Sequence, residues 1–367
     1  MLRLSSAPTA PPPPDADAPP PASADPRAAD TLARCRNLVH PALVDAIRQL
    51  DPWTGGKAAY SLGWCDTAGT PDKDASQGKG LRQALAVLAA EAVGADPLVA
   101  RPAAVAVELV HTFSLLHDDI MDGDPTRRGR AAVWSAYGTG PAILTGDALH
   151  ALAVQSLAWA PGPHTVRAVQ RLGRALLALV RGQADDLRFA DLPWSGPDAV
   201  SLDDYRSMAE HKTGVLLGCA AALGAELGGA PEATVAAFDR VGRHLGVAFQ
   251  VVDDLLGIWG DPHTTGKPVH GDLRERKKTY PVLAALQAGG PCARELLTLL
   301  KATGPLDPAA ASRAAALVAE AGGRAAGHTE ARAHLARAAG LLEEAHLEAG
   351  PGRELRTLIG SLLDRRW

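Results

Sequence analysis

Two apolar segments of this chain each run into a pair of adjacent aspartates, and that recurrence restricts the possible folds more than anything else in the sequence. The first, ELVHTFSLLHDDIMDGDPTRRG, spans Glu108 to Gly129. At about 3.6 residues per turn, His111, Asp118 and Asp122 fall along one stripe of a helix. Leu109, Val110, Phe113, Leu115 and Leu116 supply enough apolar surface to bury most of it. Unpaired buried charges are costly, so Asp118, Asp119 and Asp122 require cations nearby. Asp118 and Asp122 stand one turn apart, where oxygens from both can bridge hard divalent ions such as Mg²⁺. Arg127 and Arg128 follow at once, and guanidinium forks suit phosphate. Carboxylates for a metal followed by arginines for phosphate point to a metal-diphosphate site.

A lone acidic helix end is ordinarily a solvated one. The second segment, GVAFQVVDDLLGIWGD from Gly246 to Asp261, changes that reading with a second Asp pair, Asp253 and Asp254, on another apolar helix. Two such helices in one chain can face each other across a cavity.

The 367 residues suffice for one large or two ordinary domains with a substantial core. A formal net charge of −4 gives no electrostatic reason to expect nucleic acid. Cys35, Cys65, Cys219 and Cys292 show no CxxC spacing, and a reduced cytoplasmic protein is the simplest account. Residues 1–30 are rich in Pro, Ala, Ser and Asp and read as a disordered tail. That tail lacks the apolar stretch of a signal peptide, and no charge-free apolar run long enough for a membrane span is seen. Residues 31–367 are expected to form a single domain. Helical pattern covers 31–50, 79–94, 97–122, 140–160, 164–190, 201–228, 232–260, 277–288, 308–322 and 324–349, with a loop from Asp51 to Gly78. The expectation is an all-α bundle around a central cavity.

Six pieces carry a resemblance. GKGLR at 78–82, HTFSLLHDDIMDGDPTRRG at 111–129, GQADDL at 182–187, HKTG at 211–214, FQVVDD at 249–254 and TGKP at 265–268 occur in the order of the trans-isoprenyl diphosphate synthases, the polyprenyl synthetase family. The chain resembles that family over most of its length after residue 75. Among its members it is most similar to geranylgeranyl diphosphate synthases.

The resemblance implies the isoprenoid synthase fold, a homodimer, three Mg²⁺ ions per site and two substrates. These are isopentenyl diphosphate and an allylic diphosphate (dimethylallyl, geranyl or farnesyl). It assigns Lys79, Arg82, His111 and Arg128 to the isopentenyl diphosphate, and Arg127, Lys212 and Lys267 to the allylic one. Thr213 and Gln250 become dipoles aimed at a carbocation, which makes them catalytic together with Lys212. Gln183 and Asp186, three apart on a helix, face the same cavity, while Asp185 is solvated. Two metals fall to Asp118, Asp119 and Asp122, and a third to Asp253 with help from Asp254. His211 to Gly214 is expected to kink its helix. Arg130 is expected at the surface, Lys277 and Lys278 in a solvated basic run, with an approach to the site as the alternative, and Arg365 and Arg366 over the isopentenyl site.

Two positions depart from the family's pattern. Gln83 replaces the usual Pro after Arg82, and Gly257 replaces the last Asp of the second motif. The rival readings are a class I terpene cyclase and a non-catalytic partner subunit. No N-D-x-x-S-x-x-x-E pattern follows Phe249, which argues against the first, and Asp118, Asp119, Asp122, Asp253 and Asp254 are all present, which argues against the second. Product length rests on Phe113 and Ser114, about 7.5 and 6 Å below Asp118 along the helix axis. Relatives with one aromatic residue at that place and no insertion between Asp119 and Asp122 tend to make geranylgeranyl diphosphate (C20). Farnesyl diphosphate (C15) or a longer chain is the alternative.

Overall fold

The computed structural model describes residues 26–72, 78, 80–261, 269–302, 304 and 306–363. The expectations for Lys79, Lys267, Arg365, Arg366 and most of the N-terminal tail lie outside those residues. The chain begins with α1 (Pro26–Ile47), which takes in the last residues assigned to the tail, and α2 (Pro52–Ser61). Next come α3 (Leu81–Ala92), a 3₁₀ turn (Pro97–Ala100), α4 (Arg101–Asp122) and a two-stranded hairpin, β1 (Thr126–Arg127) and β2 (Arg130–Ala131). The middle of the chain forms α5 (Val133–Tyr137), α6 (Thr139–Ala158), α7 (Thr165–Asp191), α8 (Leu202–Ala209), a π turn (Glu210–Gly214), α9 (Val215–Leu227) and α10 (Glu232–Trp259). It closes with α11 (Gly271–Arg274), α12 (Tyr280–Ala288), α13 (Gly290–Lys301), α14 (Pro308–Glu320), α15 (Gly323–Glu344) and α16 (Ala349–Leu363).

Helix α9, VLLGCAAALGAEL, is buried on every side, as a helix without a polar face must be. It is the axis of the bundle, with α3, α4, α7 and α10 packed around it. Glycine makes the packing close. A Cβ on Gly224 would meet the carbonyl of Ala86 in α3 at 1.9 Å, and one on Gly242 would meet Gly218 Cα at 2.4 Å. The span Pro97–Asp122 is long and apolar enough to cross a membrane by composition alone. Here Ala103 to Val110 are buried and covered by α3, α6 and α9, so α4 is a core helix whose last turns carry the first acidic motif inward.

The structure differs from the pattern reading in a few places. The expected loop after residue 50 contains α2, whose first turn is capped by the Asp51 carboxylate accepting from Trp53 N and Thr54 N, with Pro52 at its first position. Helices α13 and α16 were not expected either. The hairpin after α4 turns through Arg128 and Gly129, both at positive φ (53° and 76°), as a two-residue primed turn requires. That reversal carries Arg127 back toward α4.

Candidate active site

The π turn organises the site. Val215 N donates to Glu210 O, so one residue more than an α-helical turn is held between α8 and α9. The expected kink at His211 to Gly214 therefore takes this form. Two glycines press neighbouring helices onto the turn. A Cβ on Gly182 of α7 would lie 2.2 Å from Lys212 N, and one on Gly246 of α10 would lie 2.1 Å from Gly214 Cα. Held in this way, Lys212 Nζ donates to Asp186 Oδ2 at 2.5 Å and stands 3.5 Å from Asp118 Oδ1. Thr213 Oγ1 donates to Gln250 Oε1 at 2.9 Å, so these two side chains are brought together.

The carboxylates of the first motif divide. Asp119 is buried, and Arg127 Nε donates to its Oδ1 at 2.5 Å. Burial pushes Asp119 up to about 6, with the Arg127 charge opposing. Asp118 Oδ1 is buried with no hydrogen-bond donor, although Lys212 and the Arg127 guanidinium, 3.9 Å from Oδ2, lie close. Asp122 is exposed, and it is raised by partial burial and by the Asp118 charge against Lys212 and Lys277.

The second motif divides in the same way. Asp253 is exposed, whereas Asp254 is buried and faces inward. Asp254 Oδ2 accepts from Tyr205 Oη at 2.5 Å and Tyr280 N at 2.9 Å, and its Oδ1 accepts from Gln250 Nε2 at 3.2 Å. Burial and the Asp272 charge push it up to about 7. The structure thus gives Asp253 and Asp254 different surroundings, which the 100° between adjacent helical residues dictates. Gln250 reaches both Thr213 and Asp254.

Beside the acids lies a cationic cleft lined by Tyr60, Glu108, His111, Arg127, Arg128 and Arg130. Arg82 borders it from the first turn of α3, its Nε buried without a partner. Burial lowers Arg82 to about 10, with Glu108 opposing and Arg128 adding to the fall. Burial and the charges of Arg82, Arg128 and Arg127 hold His111 well below its ordinary value, so the ring is neutral. The Arg128 guanidinium packs on Gly78, where a Cβ would come within 2.9 Å, and Arg36 donates to the Gly78 carbonyl at 3.2 Å.

Three expectations need correction. Arg130 is not free at the surface: it is half-buried, its Nη2 donates to Cys65 O at 2.6 Å and its guanidinium lies 4.2 Å from the Tyr60 ring. It ties the hairpin to the loop after α2. Lys278 is not part of a solvated run: it is buried and donates to Ala190 O at 3.2 Å. Lys277 is exposed, paired with Glu275 at 3.0 Å, and held above its ordinary value, against burial, by Asp272, Glu275 and Asp122. Asp185 is half-buried rather than solvated, paired with Arg188 at 3.1 Å. Phe113 stacks on His150 of α6, ring centroids 5.3 Å apart, and Ser114 Oγ donates to its own helix at His111 O. His117 meets Phe113 edge-on and sits over Gly146 of α6.

Residues 72–318 match the Polyprenyl synthetase family. A (2E,6E)-farnesyl diphosphate synthase of Mycobacterium tuberculosis is 41% identical over 361 residues, 97% of each chain. A geranylgeranyl diphosphate synthase of the same species is 48% identical over 302 residues, 82% of this chain and 84% of that one. A polyprenyl synthetase of Streptomyces coelicolor superposes with a TM-score of 0.84 at 44% identity, covering 91% of this chain and 99% of its own. The chain belongs to the polyprenyl synthetase family. It is a prenyltransferase, related to named prenyl diphosphate synthases along nearly its whole length.

Both departures from the pattern of polyprenyl synthetases have a structural setting. Gln83 is buried in α3, its Oε1 without a partner. Gly257 faces the carboxylate of Asp272. Four contributors were missed in the sequence: Tyr60, Glu108, Tyr205 and Asp272. The only signal available for Glu108 was an acid on an otherwise apolar stretch.

Proposed function

We propose that this prenyltransferase condenses isopentenyl diphosphate with an allylic diphosphate, head to tail, and releases geranylgeranyl diphosphate. The observation that carries the reading is the adjacency of two oppositely charged sites. Asp118, Asp122 and Asp186 are threaded by Lys212, and Arg82, Arg128 and neutral His111 lie beside them, joined through Arg127. The acidic side suits a metal-bound diphosphate and the cationic side a bare one.

Mg²⁺ fits the acidic side. The donors are hard carboxylate oxygens, Asp118 Oδ1 is buried without a donor, and Asp122 is raised by its neighbour. Among the described residues no three acids are already drawn into a cage, and Lys212 and Arg127 stand between them. Asp118, Asp122 and Asp253 are the candidate ligands for three ions, with Asp119 and Asp254 anchoring them from behind. Mg²⁺ would supply Lewis-acid stabilisation of the departing diphosphate.

Arg127 and Lys212 add positive charge where the allylic carbon–oxygen bond breaks. Arg82, Arg128 and His111 hold the isopentenyl diphosphate so that its double bond forms the new carbon–carbon bond. The proton lost in regenerating a double bond passes to the released diphosphate, since among the described residues no side chain in the site is a positioned base. Thr213 and Gln250, bonded to each other, offer dipoles without a full negative charge to the cationic carbon.

The twenty-carbon product is supported by Phe113 as the single ring at the floor positions, with the small Ser114 bonded to its own helix. One observation favours fifteen carbons: His150 adds a second ring to that floor. A homodimer is supported by an apolar stripe on α7, where Leu177 is 76% and Val180 61% exposed, and by exposed Leu144 on α6. Product analysis after incubating the purified chain with isopentenyl diphosphate, each allylic primer and Mg²⁺ tests the reading. A dominant C20 product supports it, whereas a cyclised product or no condensation overturns it.

A further inference from the structure

At the fifth position of the second acidic motif, one turn beyond Asp253, the chain has Gly257, whereas the equivalent position of the first motif is Asp122. The space is filled from elsewhere. A Cβ on Gly257 would fall 1.9 Å from Asp272 Oδ2, 2.4 Å from its Cγ and 2.9 Å from Oδ1. The whole Asp272 carboxylate therefore lies against α10 where a side chain at 257 would begin. Asp272 is only 7% exposed, although it sits on the four-residue helix α11. Its backbone is fixed by a tight turn: Lys277 N donates to Asp272 O at 2.8 Å, and Arg276 between them adopts a positive φ of 55°.

The charge of Asp272 faces in two directions. The turn bonds its carbonyl to Lys277 N, and the Lys277 ammonium, paired with Glu275 Oε2 at 3.0 Å, is raised against burial by the charges of Asp272, Glu275 and Asp122. Asp272 is also the charged neighbour acting on Asp254. A carboxylate buried against the helix backbone at Gly257 is held there at a desolvation cost, which a positioning role explains and filler does not.

We propose that Asp272 replaces in space the carboxylate that the second motif lacks at position 257, and that, through the turn that bonds its carbonyl to Lys277 N, it positions Lys277 for binding the metal-diphosphate. Gly257 is then an accommodation rather than a loss: the helix gives up its own side chain so that the carboxylate can enter from α11. The role is one of positioning, with Asp272 acting through Lys277 and the end of α10. The inference rests on the reading of the acidic cluster as a Mg²⁺-diphosphate site.

The test is an exchange in the full chain, read by calorimetric binding of inorganic diphosphate in the presence of Mg²⁺, with circular dichroism to confirm folding. Asp272→Asn keeps the shape and removes the charge. It is expected to weaken diphosphate binding about 10–100-fold, as loss of a group supporting a metal site commonly does. The Michaelis constant for the allylic substrate should rise while that for isopentenyl diphosphate stays within about twofold, a split that general loosening does not produce. Gly257→Asp alone should bind poorly because two carboxylates compete for one space. Gly257→Asp combined with Asp272→Ala, which returns the carboxylate to the helix, should bind more tightly than Asp272→Ala alone. Wild-type binding by Asp272→Asn, or a folded exchange variant no better than Asp272→Ala, overturns the proposal. Failure of the wild-type chain to bind diphosphate with Mg²⁺ overturns instead the reading on which it rests.

Discussion

Tyr205 Oη donates a 2.5 Å hydrogen bond to Asp254 Oδ2 from a different helix, and both groups are buried. The Asp254 carboxyl, raised from 3.8 to about 7, takes up a proton in the folded state before it does so in the unfolded one. Between those values folding is favoured by protons, so this group's contribution to stability is present at low pH and is lost as pH rises through about 7. The Tyr205 hydroxyl opposes that loss, since its hydrogen bond favours the carboxylate. Tyr205→Phe should therefore cost about 1–3 kcal/mol, more at pH 8 than at pH 6. Urea unfolding at the two values measures it, and a pH-independent cost would contradict the argument.

Asp118→Ala should leave the fold intact. The side chain is half-buried at the end of α4, and its loss leaves Lys212 paired with Asp186 at 2.5 Å. Turnover should fall by about a thousandfold or more, since the charge that holds the metal stabilises the leaving diphosphate. Circular dichroism and steady-state rates together give the answer, and near-wild-type turnover would remove the first motif from the mechanism.

Gly246→Ala should be severely destabilising although it adds one methyl group. Its Cβ would meet the backbone of Gly214 at 2.1 Å, and backbone cannot rotate away. Overpacking of this kind costs about 1–3 kcal/mol or more. The same movement would separate Gln250 from Thr213. Melting temperature and kcat should fall together, and an unchanged melting temperature would show that the two helices can part freely.

Product length should respond to both ends of the ring stack. Ser114→Phe should shorten the product and Phe113→Ala should lengthen it. His150→Ala, which removes the ring stacked 5.3 Å from Phe113, should also lengthen it, by less. Chromatography of the dephosphorylated products decides the matter. If all three variants kept the wild-type product, the floor would lie away from α4 and α6.

Residues related by one helix turn were readable from the sequence, because a helix fixes their relation. Asp118 with Asp122, and the bundle itself, come from periodicity. The partners of Asp254 were not readable: Tyr205 and Tyr280 approach from other helices, and the burial that separates Asp254 from Asp253 belongs to the assembled core. Arg130 was misjudged for the same reason, since Cys65 O and the Tyr60 ring lie far along the chain. Helix α2 could have been found. Asp51 followed by Pro52 is a capping signal, but the surrounding Gly and Thr obscured it.

The π turn makes the site depend on the number of residues as well as on their identity. Each residue advances a helix by about 100°. Deleting any one codon between Glu210 and Gly214 would remove the extra residue and leave a continuous α-helix. Helix α9 cannot rotate to compensate, because Gly218 is locked against Gly242 of α10. Helix α8 would have to rotate instead, carrying Tyr205 off Asp254 as Lys212 left Asp186. A substitution in this stretch removes one contact, whereas a single-codon deletion removes several at once.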